Sequence, residues 1–560
     1  MPVLQFKGKT AVECYHHSVP HHTLEFDPKL SLVGKGGKPG LDGNLIIEGD
    51  NLLALKALLP THAGSVKCIY IDPPYNTGDE GWVYNDNLTQ PQFKEWIGQT
   101  VGKEGEDATR HDKWCCMMYP RLQLLKELLK DDGVIFVSID DNELQNLAHL
   151  MDEIFGAENR VERIVWKKSY GGGAKERHIV TVHEYILCYA KNLGLIGPLQ
   201  LNPNPEAVTR YYKYRDAKFD SRGPYRIKPL EATKSMDERK NLVYAIPLAD
   251  GGEIWPKRQW WWSKDRALGA LANDELVFTK TKSGTSVSYK QYLKDEEGEE
   301  RGAKLFSIIE GIYTQEGTAD LKQIFDGQQP LQFPKPVRLI QKLIELVTDE
   351  DDLVLDSFAG SGTPGQAVLE ENDNDGGRRK FILVQLPQDS KEDETKGRNI
   401  CKEITSERVR RVIKGCGYKN QKGESKKVAG IAGSFAYVRL GPPLFGEYRD
   451  FGKKLPSFED LAKYIFYTET SRDFDAKKVN LKTGKIGEFA GTSYFLLYTP
   501  NGTEDRALDP AWLKATAKAD KNKQLVVYCE KIWIHRDDLA QFEQETGCKV
   551  RPMLVPFNLK

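Results

Sequence analysis

The sequence predicts an α/β protein built on an open, largely parallel sheet. Two apolar runs, Val66-Lys67-Cys68-Ile69-Tyr70-Ile71 and Leu353-Val354-Leu355-Asp356, each stop at a turn-forming segment. Short apolar runs bounded by turn residues read as strands buried on both faces, the habit of strands in parallel sheets. The second run is followed by a helical stretch through Gln366-Ala367-Val368-Leu369 and a further run, Phe381-Ile382-Leu383-Val384. That strand-helix-strand order is the unit from which parallel sheets are assembled. With 560 residues, 39% of them hydrophobic, the chain buries a sizeable core and should form about two to four domains.

Composition excludes several classes. The nine cysteines are scattered, and only Cys115-Cys116 are adjacent, too close in sequence for an ordinary disulfide, which suits a reducing compartment. No apolar run approaches the roughly 18 residues of a membrane span, and the segment after Met1 lacks a signal-peptide pattern. A cytoplasmic protein is expected. The formal net charge of −1 argues against indiscriminate coating of nucleic acid, although one basic face would suffice for binding.

The first strand ends in Asp72-Pro73-Pro74-Tyr75. Two prolines fix φ near −65° and remove two donors, so nearby carbonyls stay outside a ladder. A carboxylate, a free carbonyl and an aromatic face then converge. An exocyclic amine on a nucleobase is a poor nucleophile because its lone pair is delocalised. Asp72 and the Pro73 carbonyl can each accept one N–H and orient that lone pair while Tyr75 stacks on the base. Taken alone, the segment reads equally well as a turn closing a strand over a packed tyrosine.

The second strand ends in Asp356-Ser357-Phe358-Ala359-Gly360-Ser361-Gly362-Thr363. Gly360 and Gly362 let a ligand lie against the main chain at the carboxyl end of the strand, where open α/β sheets bind ligands. With Gly365 the spacing also fits a dinucleotide fingerprint. Against that, Pro364 interrupts the turn and the next strand ends in Gln385 rather than an acid for a ribose diol. Gln385 could still hydrogen-bond a ribose hydroxyl, more weakly than a carboxylate.

Together the two motifs, in this order, resemble the β class of S-adenosylmethionine-dependent DNA amino-methyltransferases, and the chain is most similar to the modification subunit of type III restriction systems. The resemblance covers roughly residues 40 to 440. It is carried by Ile46-Ile47-Glu48-Gly49-Asp50-Asn51-Leu52, by Asp72 through Gly78, by Pro120-Arg121-Leu122, and by Gly133 through Asp140. His183-Glu184-Tyr185-Ile186-Leu187, Phe333-Pro334-Lys335-Pro336-Val337 and Asp356 to Thr363 complete it. It implies a Rossmann-like methyltransferase core with S-adenosylmethionine as cofactor. It also implies catalysis by Asp72, Pro73, Pro74 and Tyr75. On the cofactor side it implies Asp356, Phe358, Ala359, Gly360, Gly362, Thr363, Phe333, Lys335, Pro336, Asp50 and Asn51, with Gln385 at the ribose. Pro364, where a second threonine is common, is tolerable in the first turn of a helix.

The remaining segments fall around this core. An N-terminal arm spans 1–40, the catalytic half 41–191, a target-recognition insertion 192–305, the cofactor half 306–430, and a C-terminal α+β module 431–560. Trp166-Lys167-Lys168-Ser169-Tyr170-Gly171-Gly172-Gly173-Ala174-Lys175, with Arg177 beyond it, is a basic, glycine-rich loop that suits DNA; it reads also as a surface hairpin. The insertion carries Arg258-Gln259-Trp260-Trp261-Trp262. Three successive tryptophans cannot share one face, so at least one lies near a surface or interface, and the others pack or contact bases. Arg378-Arg379-Lys380 and a basic helix from Glu403 to Lys414 suit either DNA or solvent. The N-terminal Cys14-Tyr15-His16-His17 and His21-His22 lack zinc-finger spacing, and no metal is expected. After residue 430, Phe458-Glu459-Asp460-Leu461-Ala462-Lys463-Tyr464 reads as a helix, and Tyr494–Tyr498 and Gln524–Tyr528 as strands. No P-loop is present in the sequence, so any cleavage in a restriction system falls to a separate restriction or helicase subunit.

The expected activity is adenine-N6 methylation of duplex DNA after base flipping by a homodimer of a type III-like system. Two alternatives stand: the same transfer to cytosine N4, disfavoured by an aspartate where serine is more frequent, or to RNA, and a DNA-recognition subunit with an inactive core.

Overall fold

The computed structural model describes residues 3–34, 37–77, 110–171, 178–203, 205–232, 239–281, 284–298, 300–388, 391–419, 424–444, 456–500 and 506–555. Gly78, Gly172 to Ala174, Lys175 and Arg177 lie outside the described residues. The chain divides into two compact units, Leu199–Leu305 and the remainder.

The larger unit is organised by a ten-stranded sheet. Its strands are β1 (His22–Phe26), β2 (Leu45–Glu48), β3 (Val66–Ile71), β4 (Leu129–Ile139), β5 (Arg160–Trp166), β6 (Glu184–Ala190), β7 (Ile308–Ile309), β8 (Leu353–Asp356), β9 (Lys380–Gln385) and β10 (Ala436–Pro443). The spatial order is β1-β10-β2-β9-β8-β3-β4-β6-β5-β7. From β10 to β4 all neighbours run parallel, whereas β6 runs antiparallel to both β4 and β5.

Side chains alternate between two helical layers because successive residues of a strand face opposite sides. Ile69, Ile71, Ile135, Val137, Leu355, Ile382 and Val384 join one core with helices Asn51–His62, Arg110–Leu128 and Leu144–Phe155. On the other face lie helices Val337–Val347, Thr363–Asp375 and Ser406–Lys414. There Gly365 permits close approach: a Cβ on it would sit 2.9 Å from Leu383 Cδ1 and 3.1 Å from Val409 Cγ2. The third glycine of the apparent fingerprint thus serves helix-to-sheet packing.

β8 lies directly against β3, with Val354 opposite Cys68 and Leu355 opposite Ile69. Two segments almost three hundred residues apart in sequence therefore end side by side at the carboxyl edge of the sheet. Parallel pairing requires crossover connections, so the chain leaves β3 in one direction and returns to its other flank only after the inserted unit.

The C-terminal module has a four-stranded sheet ordered Lys485–Phe489, Thr492–Leu497, Gln524–Cys529, Lys549–Leu554. The last three run parallel, joined by helices Pro510–Ala519 and Arg536–Thr546. The helix read from Phe458 runs to Thr470.

Leu199–Leu305 is built on an antiparallel three-stranded sheet of Tyr225–Pro229, Leu276–Thr281 and Gly284–Tyr292. Its core gathers Leu230, Tyr244, Ile246, Trp260, Ala267, Ala270, Leu276 and Val287.

Candidate active site

The turn after β3 is fixed from several sides. Asn76 takes a left-handed backbone, φ 58°, which asparagine tolerates better than most residues, and its amide bonds buried Glu143. Trp114 Nε1 donates to the Pro74 carbonyl at 2.7 Å. The carbonyl of Pro73, the one assigned to the amine, has no protein partner among the described residues.

Asp72 uses a single oxygen for the protein. Its Oδ1 accepts from Tyr75 OH at 2.9 Å and from Lys335 Nζ at 3.0 Å, while Oδ2 has no protein partner among the described residues. The side chain is 27% exposed. Burial raises the Asp72 pKa above the usual carboxylate value, Lys335 opposes that rise and Glu184 adds to it. A carboxylate with one oxygen tied back and one outward is built to accept from a ligand.

Lys335, expected on the cofactor side, has its side chain among Asp72, Tyr75 and Glu184. Its Nζ lies 2.7 Å from Tyr75 OH and 3.3 Å from Glu184 Oε2, over the Tyr75 ring at 4.9 Å from the centroid. Burial works against its charge, but Asp72 and Glu184 outweigh it and hold its pKa above the ordinary lysine value. Its backbone still touches the cofactor side, since Thr363 Oγ1 donates to its carbonyl at 3.4 Å.

The glycine loop after β8 bends through Gly360 (φ 51°) and Gly362 (φ 80°). Asp356 Oδ1 accepts from Phe358 N at 2.9 Å, and burial drives its pKa well above the usual value. Thr405 Oγ1 donates to the Gly360 carbonyl at 2.7 Å. Ala359, beside Phe358, is nearly buried and its N–H is held by Val384.

Two residues expected to contact the cofactor, Gln385 and Asn51, are turned into the protein. Gln385 does not face outward: its Oε1 accepts from Gly360 N at 2.7 Å and the residue is buried, so it braces the loop. Asn51 is also buried, donating to the Ser357 carbonyl at 2.8 Å and accepting from Arg121 Nε at 2.5 Å. Asp50 caps the helix Asn51–His62 through Leu52 N and Leu53 N. Pro336 precedes the helix Val337–Val347. Phe333, by contrast, is 80% exposed at φ 52°, and its segment runs beside the loop, where Leu331 approaches Gly360.

Arg408 was hidden in the basic helix and belongs to this loop. Fully buried, it donates through Nη1 to Ser361 Oγ (2.7 Å) and Thr363 Oγ1 (2.8 Å) and through Nε to Gln366 Oε1 (2.8 Å). Burial lowers its pKa to about 10. Its neighbours are structural too: Arg410 reaches the Leu30 carbonyl, and Arg411 reaches Glu407 and the Ile324 carbonyl. Arg379 is buried against Thr348 and Asp375, whereas Arg378 pairs with Asp351 at the surface.

The basic hairpin divides. Trp166 is corrected from a surface role: it is wholly buried and donates to the Ile312 carbonyl at 2.8 Å. Lys168 bonds Glu184 Oε1 at 2.8 Å, Lys167 lies 3.7 Å from Glu310, and Tyr170 is 82% exposed. In the other unit Trp260 is likewise a core residue, donating to the Tyr244 carbonyl at 2.8 Å. Arg258 is exposed, Trp261 is 47% exposed and Trp262 packs against Tyr289 with Arg266 over its ring. The three tryptophans split between core and surface, as their spacing required.

At the N-terminus, His16, His17 and Glu127 place candidate ligand atoms within 4.8 Å of one another. Lys56 and Lys126 line the same cleft, and their positive charge disfavours a cation there.

The glycine loop and the aspartate-tyrosine turn thus stand at the ends of two paired parallel strands, in an α/β fold. A family model described as DNA methylase matches residues 66–414. The chain belongs to this DNA methylase family. It is 34% identical over 380 residues to the StyLTI type III modification subunit of Salmonella typhimurium, covering 66% of this chain and 57% of that one. To the EcoP15I modification subunit of Escherichia coli it is 31% identical over 417 residues, 66% and 63% of the two chains. The type II methyltransferase M.KpnI of Klebsiella pneumoniae shares 31% identity, covering 60% of this chain and 79% of that enzyme. The match thus spans less than two thirds of the type III subunits' length.

Proposed function

We propose that this chain methylates the N6 amine of adenine in duplex DNA at specific sites, using S-adenosylmethionine. The observation that carries the reading is the pairing of β3 with β8, which sets the outward oxygen of Asp72 beside the glycine loop. The loop suits the cofactor on its own evidence. Gly360 and Gly362 expose main chain without a Cβ, and the large exposed ring of Phe333 beside them is a surface that a flat ligand would cover.

When bound, S-adenosylmethionine supplies an electrophilic methyl on a sulfonium. Asp72 Oδ2 and the Pro73 carbonyl accept the two N–H groups of a flipped adenine, and Tyr75 packs on its ring. That hold would aim the amine lone pair at the methyl group that the cofactor, lying along Gly360 and Gly362 and against Phe333, would supply. Asp72, its pKa raised by burial, takes the proton that the methylated amine must lose.

The reading extends to partners. The relatives named as type III modification subunits support a modification and specificity subunit that partners a restriction subunit; a homodimer and a cytoplasmic location are proposed with it. Among the described residues, no helix is long and apolar enough to cross a membrane. Exposed Tyr170, Arg258 and Trp261 and the half-buried Lys167 and Trp262 are the proposed DNA contacts, with Lys175 and Arg177 proposed from sequence. Leu199–Leu305 is proposed as the target-recognition unit.

Incubating the purified chain with labelled S-adenosylmethionine and mixed-sequence duplex, followed by mass spectrometry of nucleosides, tests this. N6-methyladenine is expected. N4-methylcytosine would reassign the acceptor, and absence of any transfer would point to an inactive recognition subunit. Trp261→Ala is expected to weaken DNA binding by about 1 kcal/mol or more if it stacks on a base, with its thermal midpoint unchanged. Trp260→Ala should instead destabilise its unit by about 3–5 kcal/mol, seen by calorimetric unfolding.

A further inference from the structure

Glu184 is an acid at the head of an otherwise apolar strand, 6% exposed, and methyl transfer as described gives it no task. Around it four charges alternate in space. Asp72 Oδ1 meets Lys335 Nζ at 3.0 Å, Lys335 meets Glu184 Oε2 at 3.3 Å, and Glu184 Oε1 meets Lys168 Nζ at 2.8 Å. Tyr75 OH lies 2.9 Å from Asp72 Oδ1 and 3.2 Å from Glu184 Oε2. A phenol has one proton, so the two carboxylates share that donor in turn.

The alternation addresses a problem the site would otherwise have. A buried ammonium facing one carboxylate draws it into a closed pair, because each charge is poorly solvated and has no other partner. The oxygen needed by a substrate amine would then be held by lysine. A second carboxylate behind the lysine divides that attraction, and Lys168 in turn offsets the second carboxylate.

We propose that Glu184 is a positioning residue for methyl transfer: by sharing Lys335 and Tyr75 it holds Asp72 through Oδ1 alone and keeps Oδ2 directed at the acceptor amine. The inference rests on the methyl-transfer reading above. Lys335 becomes the link between the catalytic turn and the cofactor loop, since its side chain holds Asp72 and its carbonyl is met by Thr363.

The charges facing Asp72 give the test a sign. Lys335 lowers its pKa and Glu184 raises it, with burial the largest influence; Tyr75 donates to it, and Asp356 and Tyr70 are further titratable neighbours. Glu184→Gln removes a negative neighbour, so Asp72 stays ionised to lower pH. Lys335→Gln removes the positive one and does the reverse.

In the full chain, with DNA and S-adenosylmethionine, Glu184→Gln is expected to lower kcat about 10- to 100-fold. The acid limb of its pH profile should move down by about half to one pH unit. Lys335→Gln should move that limb up by a similar amount, and it carries the test where Glu184→Gln does not fold. Calorimetric affinity for S-adenosylmethionine and the thermal midpoint of Glu184→Gln should stay near wild type. Wild-type rate and acid limb in Glu184→Gln, or both limbs moving the same way, overturns the inference while the methyl-transfer reading stands. A wild-type chain that methylates no DNA overturns that reading, and the clamp with it.

Discussion

Asp72→Ala is expected to lower methyl transfer to DNA by about a thousandfold while the affinity for S-adenosylmethionine, by calorimetry, changes less than about twofold. Removing a group that acts on the transition state alone costs on the order of 10²–10³, and here Oδ2 of the same carboxylate also fixes the orientation of the nucleophile. The substitution takes away both N–H acceptance and the proton acceptor. It leaves Lys335 with Glu184 at 3.3 Å, so the buried ammonium keeps a counter-charge and the fold keeps its centre. The loop from Ser357 to Thr363 is held by Gln385, Thr405 and Arg408, none of which touches Asp72 through a hydrogen bond, which is why cofactor binding should survive. Retained activity in a labelled-methyl assay would remove Asp72 from the mechanism.

The legibility of this site follows from the range of the interactions that build it. The strand ending at Asp72 and the strand ending at Asp356 were readable because both are continuous apolar runs stopped by turn chemistry, a local signal. That they lie side by side was implied by resemblance and is a matter of sheet order, which periodicity does not encode. Lys335, Glu184 and Arg408 show what local reading misses. Each is a charged residue in a setting that looks ordinary along the chain: a lysine between prolines, an acid opening a strand, one arginine among several in a basic helix. Their roles arise from partners 16 to 263 positions away. Burial also reversed one expectation, because an aromatic ring beside basic residues looks the same in sequence whether it faces DNA or, like Trp166, a backbone carbonyl in the core; for Trp260, open between packing and base contact, it decided for packing.

Gly362→Val should separate the two halves of the site from the other direction. Gly362 has φ 80° and starts the helix Thr363–Asp375, and a Cβ there would lie 3.1 Å from the Thr405 carbonyl and 3.3 Å from its Cγ2. A β-branched residue at that φ is strongly disfavoured, and the near neighbour includes rigid main chain, so the loop must move rather than the side chain yield. Movement there breaks the Thr405 bond to Gly360 and displaces Thr363 from Arg408. The expected result is a loss of S-adenosylmethionine affinity of about a hundredfold or more, the order of about 3 kcal/mol that strain at one such residue reaches. Gly365→Val provides the contrast. Its Cβ would press on Leu383 and Val409, which belong to helix-to-sheet packing, so overpacking should lower stability by about 1–3 kcal/mol with cofactor affinity affected far less. Equal effects of the two substitutions on calorimetric cofactor binding would mean that Gly362 is placed for packing and not for the ligand.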